Sequence, residues 1–135
     1  MILLRGNTPD AQPLHSWMKN PGRGTLYVSN LGLSWVRSDI FAMSNVFERE
    51  KLLQEFDRTL EHRFDGRKYD LDGTSLRKWA TIRHLESAGQ TLSTEDAMEL
   101  SIAIANDLIF VGRETDLRKQ SGVKLEDPYR INQAI

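Results

Sequence analysis

Arg5, Asp96 and Glu114 are the side chains best able to do chemistry, and the order of the chain draws them toward one place. Arg5 follows the short apolar run Ile2-Leu3-Leu4, and Glu114 follows Leu108-Ile109-Phe110-Val111. Asp96 opens the alanine-bearing stretch that leads into that second run. If the two runs are parallel strands, both polar ends fall beyond their carboxyl termini, where α/β sheets bind ligands. A guanidinium there attracts both carboxylates and favours their ionised forms. Plainer assignments exist for each residue. Ser93 with Asp96 matches a helix-capping arrangement, and an acid in a first turn gains ~0.3–1 kcal/mol from the helix dipole. Glu114 can equally be a solvated loop acid, and Arg5 a surface charge at a strand end.

Other polar groups are less specific. Arg63, Arg67, Lys68, Arg77, Lys78 and Arg83 are dense in the middle of the chain, and Arg113, Arg118 and Lys119 flank Glu114. Acids interleave with both groups, which describes a solvated face. If the second group rims a cleft, it can hold nucleic-acid phosphate. His15, His62 and His84 lack metal-ligand spacing. Trp17, Trp35 and Trp79 are core candidates. Without cysteine the chain has no disulfide and no thiolate metal site.

A length of 135 residues suits one domain, here expected over residues 1–135. Charged residues at 27% and hydrophobic ones at 39% exclude a disordered polypeptide. The formal charge of -1 exerts no global pull on nucleic acid, so any such binding needs a local patch. The N-terminal apolar run is too short for a signal peptide or a membrane span. A cytoplasmic domain is the expectation.

Strand and helix signals alternate. Ile2 to Leu4 reads as a strand, Ala11 to Lys19 as a short helix near Pro13, and Thr25 to Ser29 as a second strand. Ser29 or Asn30 can cap a helix carrying Leu33, Trp35, Val36 and Ile40. Asn45 to Phe64 has Leu52, Leu53, Phe56 and Leu60 at helical spacing. Lys68 to Leu71 is a short strand, and Thr74 to Ala88 a helix stopped by Gly89. Ser93 and Thr94 open a helix through Ala105. Leu108 to Val111 reads as a buried strand, and Val123 to Leu125 as a last one. Short strands separated by helices predict an α/β fold with a central, mostly parallel sheet covered on both faces.

On these residues the chain resembles the PIN-domain proteins of the VapC and FitB type, the toxin half of toxin–antitoxin (plasmid stability) modules. The opening Met1-Ile2-Leu3-Leu4 with its polar triplet Arg5-Gly6-Asn7 is similar to the family start, which ends Asp-Thr-Asn. Leu26-Tyr27-Val28-Ser29 and Leu33-Ser34-Trp35-Val36-Arg37 resemble the family's next strand and helix. Gly66-Arg67, Asp72, Trp79-Ala80, Ile82-Arg83 and Gly89 fit the middle. Glu95-Asp96-Ala97-Met98, Val111-Gly112-Arg113-Glu114-Thr115, Ser121-Gly122-Val123 and Asp127-Pro128-Tyr129 follow in order. The likeness spans nearly the whole chain and implies a PIN-like three-layer sandwich.

The resemblance implies carboxylates that converge on Mg²⁺ or Mn²⁺ and activate water. Position by position, the first family aspartate falls on Arg5, with Asn7 retained behind it. The helix glutamate falls on Trp35. The third acid is Asp96, and the fourth position is Glu114, with Thr115 beside it in support. A guanidinium offers a metal no lone pair. The pattern therefore implies eroded metal-dependent nuclease activity, no bound metal, and a role in binding RNA or a partner. Arg5 is expected to pair with Asp96, Glu114 or both, as a built-in version of the basic plug that family antitoxins supply. The alternative is an active Mg²⁺- or Mn²⁺-dependent endoribonuclease toxin that recruits Glu95, Glu99 or Asp116; Glu99 lies about one helical turn from Asp96. A structural or regulatory subunit on the same fold is a third reading. The resemblance also implies a homodimer and a small antitoxin-like partner. Leu33, Val36, Ile40 and Phe41 are candidates for the self-association face, unless their helix simply packs inside the monomer.

Overall fold

The computed structural model describes residues 24–86, 91–112 and 115–128, together with Ser16 and Lys19; Leu60 and Glu61 enter through their backbone alone. The chain divides into two compact units, one of them Leu26–Asp70 and the other including the described residues from Leu71 onward. The expected segments Ile2 to Leu4 and most of Ala11 to Lys19 lie outside the described residues, as does Gly89.

In the first unit, β1 (Val28–Ser29) runs directly into α1 (Asn30–Phe41). Ser29 is the cap: its hydroxyl accepts the Gly32 N–H at 2.8 Å, satisfying a donor the helix cannot. β1 pairs in parallel with β2 (Lys68–Tyr69), Val28 opposite Lys68 and Ser29 opposite Tyr69. Asn30 Nδ2 donates to Asp70 Oδ1 at 2.6 Å, and Arg67 donates to the Leu26 carbonyl at 3.0 Å, so the pair is tied at both ends. Leu33, Val36 and Ile40 recur at helical spacing and are buried within the molecule. This corrects their assignment as a self-association face; of that set only Phe41 is exposed, at 57%.

Asn45 caps α2 (Val46–Glu55) by accepting the Glu48 N–H at 3.1 Å. The helix expected from Asn45 to Phe64 runs without a break through Arg63, but not as one regular α-helix. A π-helical turn, Phe56–Leu60, follows α2, and one further α-turn, Glu61–Arg63, completes the segment. At this widened turn Phe56 is fully buried, while Arg37 pairs with Asp57 and lies 5.1 Å from the centre of the Phe56 ring. The side-chain spacing read as one helix thus serves a turn that directs Phe56 inward and Asp57 toward α1.

In the second unit, Asp72 caps α3 (Gly73–Leu85), and α4 (Thr94–Ala105) begins after its own cap Ser93. α3 ends three residues before the expected Ala88. Glu86 has extended backbone, and its carboxylate meets the Arg83 guanidinium at 2.5 Å. Arg83 also donates to the Leu92 carbonyl at 3.2 Å, which ties the end of α3 to the approach to α4. Ile82, Ala97 and Leu100 form the core between the two helices, joined by Trp79, Leu92, Ile104, Phe110 and Val123.

β3 (Ile109–Val111) pairs in parallel with β4 (Lys124–Glu126), and α5 (Asp116–Gln120) lies in the connection between them. Parallel pairing requires such a crossover. Both strand pairs are parallel as expected, and each is a two-stranded pairing among the described residues. β3 is also not the buried strand its apolar run suggested. Ile109 is 55% exposed, whereas Phe110 joins the core cluster. Alternation sends successive side chains to opposite faces, and an apolar run cannot report that only one face is covered.

Gly112 follows β3 and continues the ladder through its N–H to the Glu126 carbonyl at 3.1 Å. Here a side chain is excluded by close approach: a Cβ on Gly112 would lie 2.7 Å from Phe110 Cε1. Gly112→Ala is expected to force the Phe110 ring from the core and to cost about 1–3 kcal/mol in urea denaturation. A midpoint equal to the natural chain's would show that the ring has room to move.

Asp72 makes part of the stability depend on pH. Its carboxylate accepts the Ser75 N–H at 2.9 Å and the Ser75 hydroxyl at 2.8 Å. The backbone bond first, then the hydroxyl, holds its pKa below the ordinary 3.8. A depressed folded-state pKa contributes stability above the ordinary value and loses it as pH falls through the folded one. Asp72→Ala should therefore lower Tm near neutrality, with the gap to the natural chain narrowing as pH drops below about 3.8. Melts showing the same gap at pH 7 and pH 2.5 would contradict this.

Candidate functional site

The second unit carries a cleft of about 350 Å³ beyond the carboxyl end of β3. Thr91, Leu92, Ser93 and Asp96 line it from the start of α4, and Thr115, Asp116, Leu117 and Arg118 from the start of α5. Two caps fix these walls. Ser93 Oγ accepts the Asp96 N–H at 3.1 Å, and Thr115 Oγ1 accepts the Arg118 N–H at 3.3 Å. Each cap sits three residues ahead of a charged residue, so the capping bond sets the backbone from which that charge projects. Leu117, buried, anchors α5 beneath the cleft.

Asp96 and Thr115 both line this cleft. The capping role read for Ser93 and Asp96 is also present, because it uses the Asp96 backbone and leaves the carboxylate available. Trp35 stands half-buried on α1 of the first unit. Arg5, Asn7 and Glu114 lie outside the described residues, so the expected Arg5 ion pair does too.

Among the described residues, the cation on Asp96 is Arg118. Its Nη2 lies 3.1 Å from Asp96 Oδ2. The guanidinium side chain is 12% exposed and the aspartate side chain 41%. The guanidinium also lies over Phe110, 5.0 Å from the ring centre, a favourable placement for a cation on an aromatic face. Arg118 is therefore packed in place, with Asp96 as the wetter member of the pair. The sequence offered Arg118 only as one of three basic residues near Glu114. Its pairing follows from the Thr115 cap three residues earlier and from the aromatic Phe110, two signals that gain meaning only when β3 and α5 are adjacent.

The divalent ion implied by the resemblance needs several oxygen donors at short range. Among the described residues, Asp96 is the one acid at a position where the resemblance expects a ligand, and Arg118 engages one of its oxygens. Asp116 lines the same cleft. Among the described residues no three His, Cys, Asp or Glu side chains gather closely enough to hold a metal. A guanidinium beside the carboxylate repels a cation and donates where a ligand must accept. Among the described residues, Asp96 and Asp116 are thus the acids that line the cleft, and one Asp96 oxygen faces the Arg118 guanidinium.

Among the described residues no helix is long and apolar enough to cross a membrane. No protein-family model matches the chain. It is 26% identical to the plasmid stability protein StbB of Pseudomonas syringae pv. tomato (strain ATCC BAA-871 / DC3000), covering 96% of this chain and 99% of that protein. The structure of FitAB bound to an IR36 DNA fragment is similar with a TM-score of 0.81 at 16% identity, covering 95% of this chain and 90% of that one. VapBC2 from Rickettsia felis, bound to a DNA fragment from its promoter, gives a TM-score of 0.63 at 18% identity, covering 93% and 90%. At these identities the solved structures establish the fold. Together with the parallel strand pairs, the helices around them and the cleft after β3, they give the chain the PIN-domain fold of the FitAB and VapBC toxin–antitoxin proteins.

Proposed function

We propose that this chain is a PIN-fold protein of the toxin–antitoxin type in which metal-dependent nuclease activity is eroded, and that it acts in the cytoplasm by binding a partner or RNA. One observation carries the reading: the Arg118 guanidinium lies 3.1 Å from Asp96, at the position where the resemblance expects a metal-holding acid. Arg5 and Trp35 support it from the sequence, since each stands where the resemblance expects a carboxylate. The similar proteins of known structure are toxin–antitoxin complexes, which supports a small antitoxin-like partner.

Asp116 favours a second reading. It lines the same cleft as Asp96, so an active Mg²⁺- or Mn²⁺-dependent endoribonuclease would have a second acid at hand. Thermal melts with Mn²⁺ and cleavage assays on single-stranded RNA separate the two. A ligand present at about 100 times its Kd adds roughly 2.7 kcal/mol to a folded protein that alone binds it, a shift of several degrees. The eroded site predicts an unchanged Tm in millimolar Mn²⁺ and intact RNA. A rise of that size together with Mn²⁺-dependent cleavage would establish the active enzyme instead.

A further inference from the structure

Three features of the second unit converge on Arg118, a side chain to which the resemblance gives no role. Its Nη2 meets Asp96 Oδ2 across the cleft at 3.1 Å. Its guanidinium rests on Phe110 at 5.0 Å from the ring centre. The ring in turn occupies space that a Cβ on Gly112 would fill, and Arg118 Nη1 lies 3.5 Å from that same point. The glycine therefore lets the ring come close, and the ring provides the seat for the guanidinium. The exposures rank the partners: Arg118 at 12% is held by packing, and Asp96 at 41% faces water.

We infer that Arg118 is an intramolecular latch, a counter-ion built into α5 that competes with any divalent cation for Asp96 and keeps cations out of the cleft. An entering cation must either displace the guanidinium from the carboxylate or sit beside its positive charge. Displacement also forfeits the contact with the Phe110 face. Phe110 is thus a positioning residue that acts through Arg118. This inference rests on the eroded-site reading and gives it a structural cause.

Mn²⁺ alone, titrated into the full chain and followed by the electron paramagnetic resonance of the free ion, tests it. Arg118→Met removes the charge while keeping apolar bulk on Phe110, and Arg118→Lys keeps the charge. The latch predicts that Arg118→Met binds Mn²⁺ up to about fivefold more tightly than the natural chain, the scale of a partly exposed ion pair removed. Arg118→Lys should stay near the natural chain, and adding Asp96→Asn to Arg118→Met should abolish the gain. Phe110→Leu should give a smaller gain in the same direction. Circular dichroism verifies that each variant is folded, and Arg118→Gln replaces Arg118→Met if the latter is not. A folded, uncharged variant that binds Mn²⁺ no better than the natural chain overturns the latch, as does a gain that survives Asp96→Asn. The two readings fail separately. A natural chain that binds Mn²⁺ and cleaves RNA overturns the eroded site, whereas a silent natural chain with equally silent variants overturns the latch alone.

Discussion

The contact between Arg118 and Asp96 organises the second unit around its cleft. It joins the first turn of α4 to α5 across the carboxyl end of β3, the position at which parallel α/β proteins assemble their sites. Much of the surrounding structure can be traced from it. Ser93 and Thr115 fix the backbones that present the two charges. Phe110 carries the guanidinium on one side and reaches into the core of Ile82, Ala97 and Leu100 on the other. Gly112 admits the ring. A cleft charge is thereby coupled to core packing, so a change in either is felt by the other.

The energetic character of the pair follows from its unequal burial. Fully exposed pairs contribute little because water competes, and fully buried ones lose in desolvation much of what attraction returns. This pair lies between those limits, with a guanidinium that gives up most of its water and a carboxylate that retains part. Such an arrangement favours specificity over net stability. Arginine suits the inner place because it is weakly hydrated, always charged and able to stack on an aromatic ring. A lysine there would keep the charge and the attraction to the ring face, and would exchange the planar fork for a single ammonium.

The sequence made some parts of this legible because they depend on local physics. The span of α4 followed from Ser93 and from the helix formers behind it, and the start of α1 from Ser29. The parallel pairing of short strands followed from their alternation with helices. Other parts depend on distant neighbours. The exposure of Ile109 requires knowing that one face of β3 is left uncovered, and the early end of α3 reflects Glu86 turning back to Arg83. The burial of Leu33, Val36 and Ile40 shows the limit of an apolar stripe, which marks a face to be covered without saying what covers it. At the cleft, the Ser93 cap ahead of Asp96 was readable from the sequence. Arg118 was not, because its partner is 22 positions away along the sequence and its seat lies on a strand rather than its own helix.

The central claim is that Arg118 and Asp96 interact as a pair rather than merely lying close. A double-mutant cycle in urea with Arg118→Met, Asp96→Asn and the combined variant isolates that term from the separate packing losses. An interacting pair gives a favourable coupling of at least ~0.5 kcal/mol, the lower end for residues in direct contact, which weakens as salt is raised. A coupling indistinguishable from zero at low salt would contradict it.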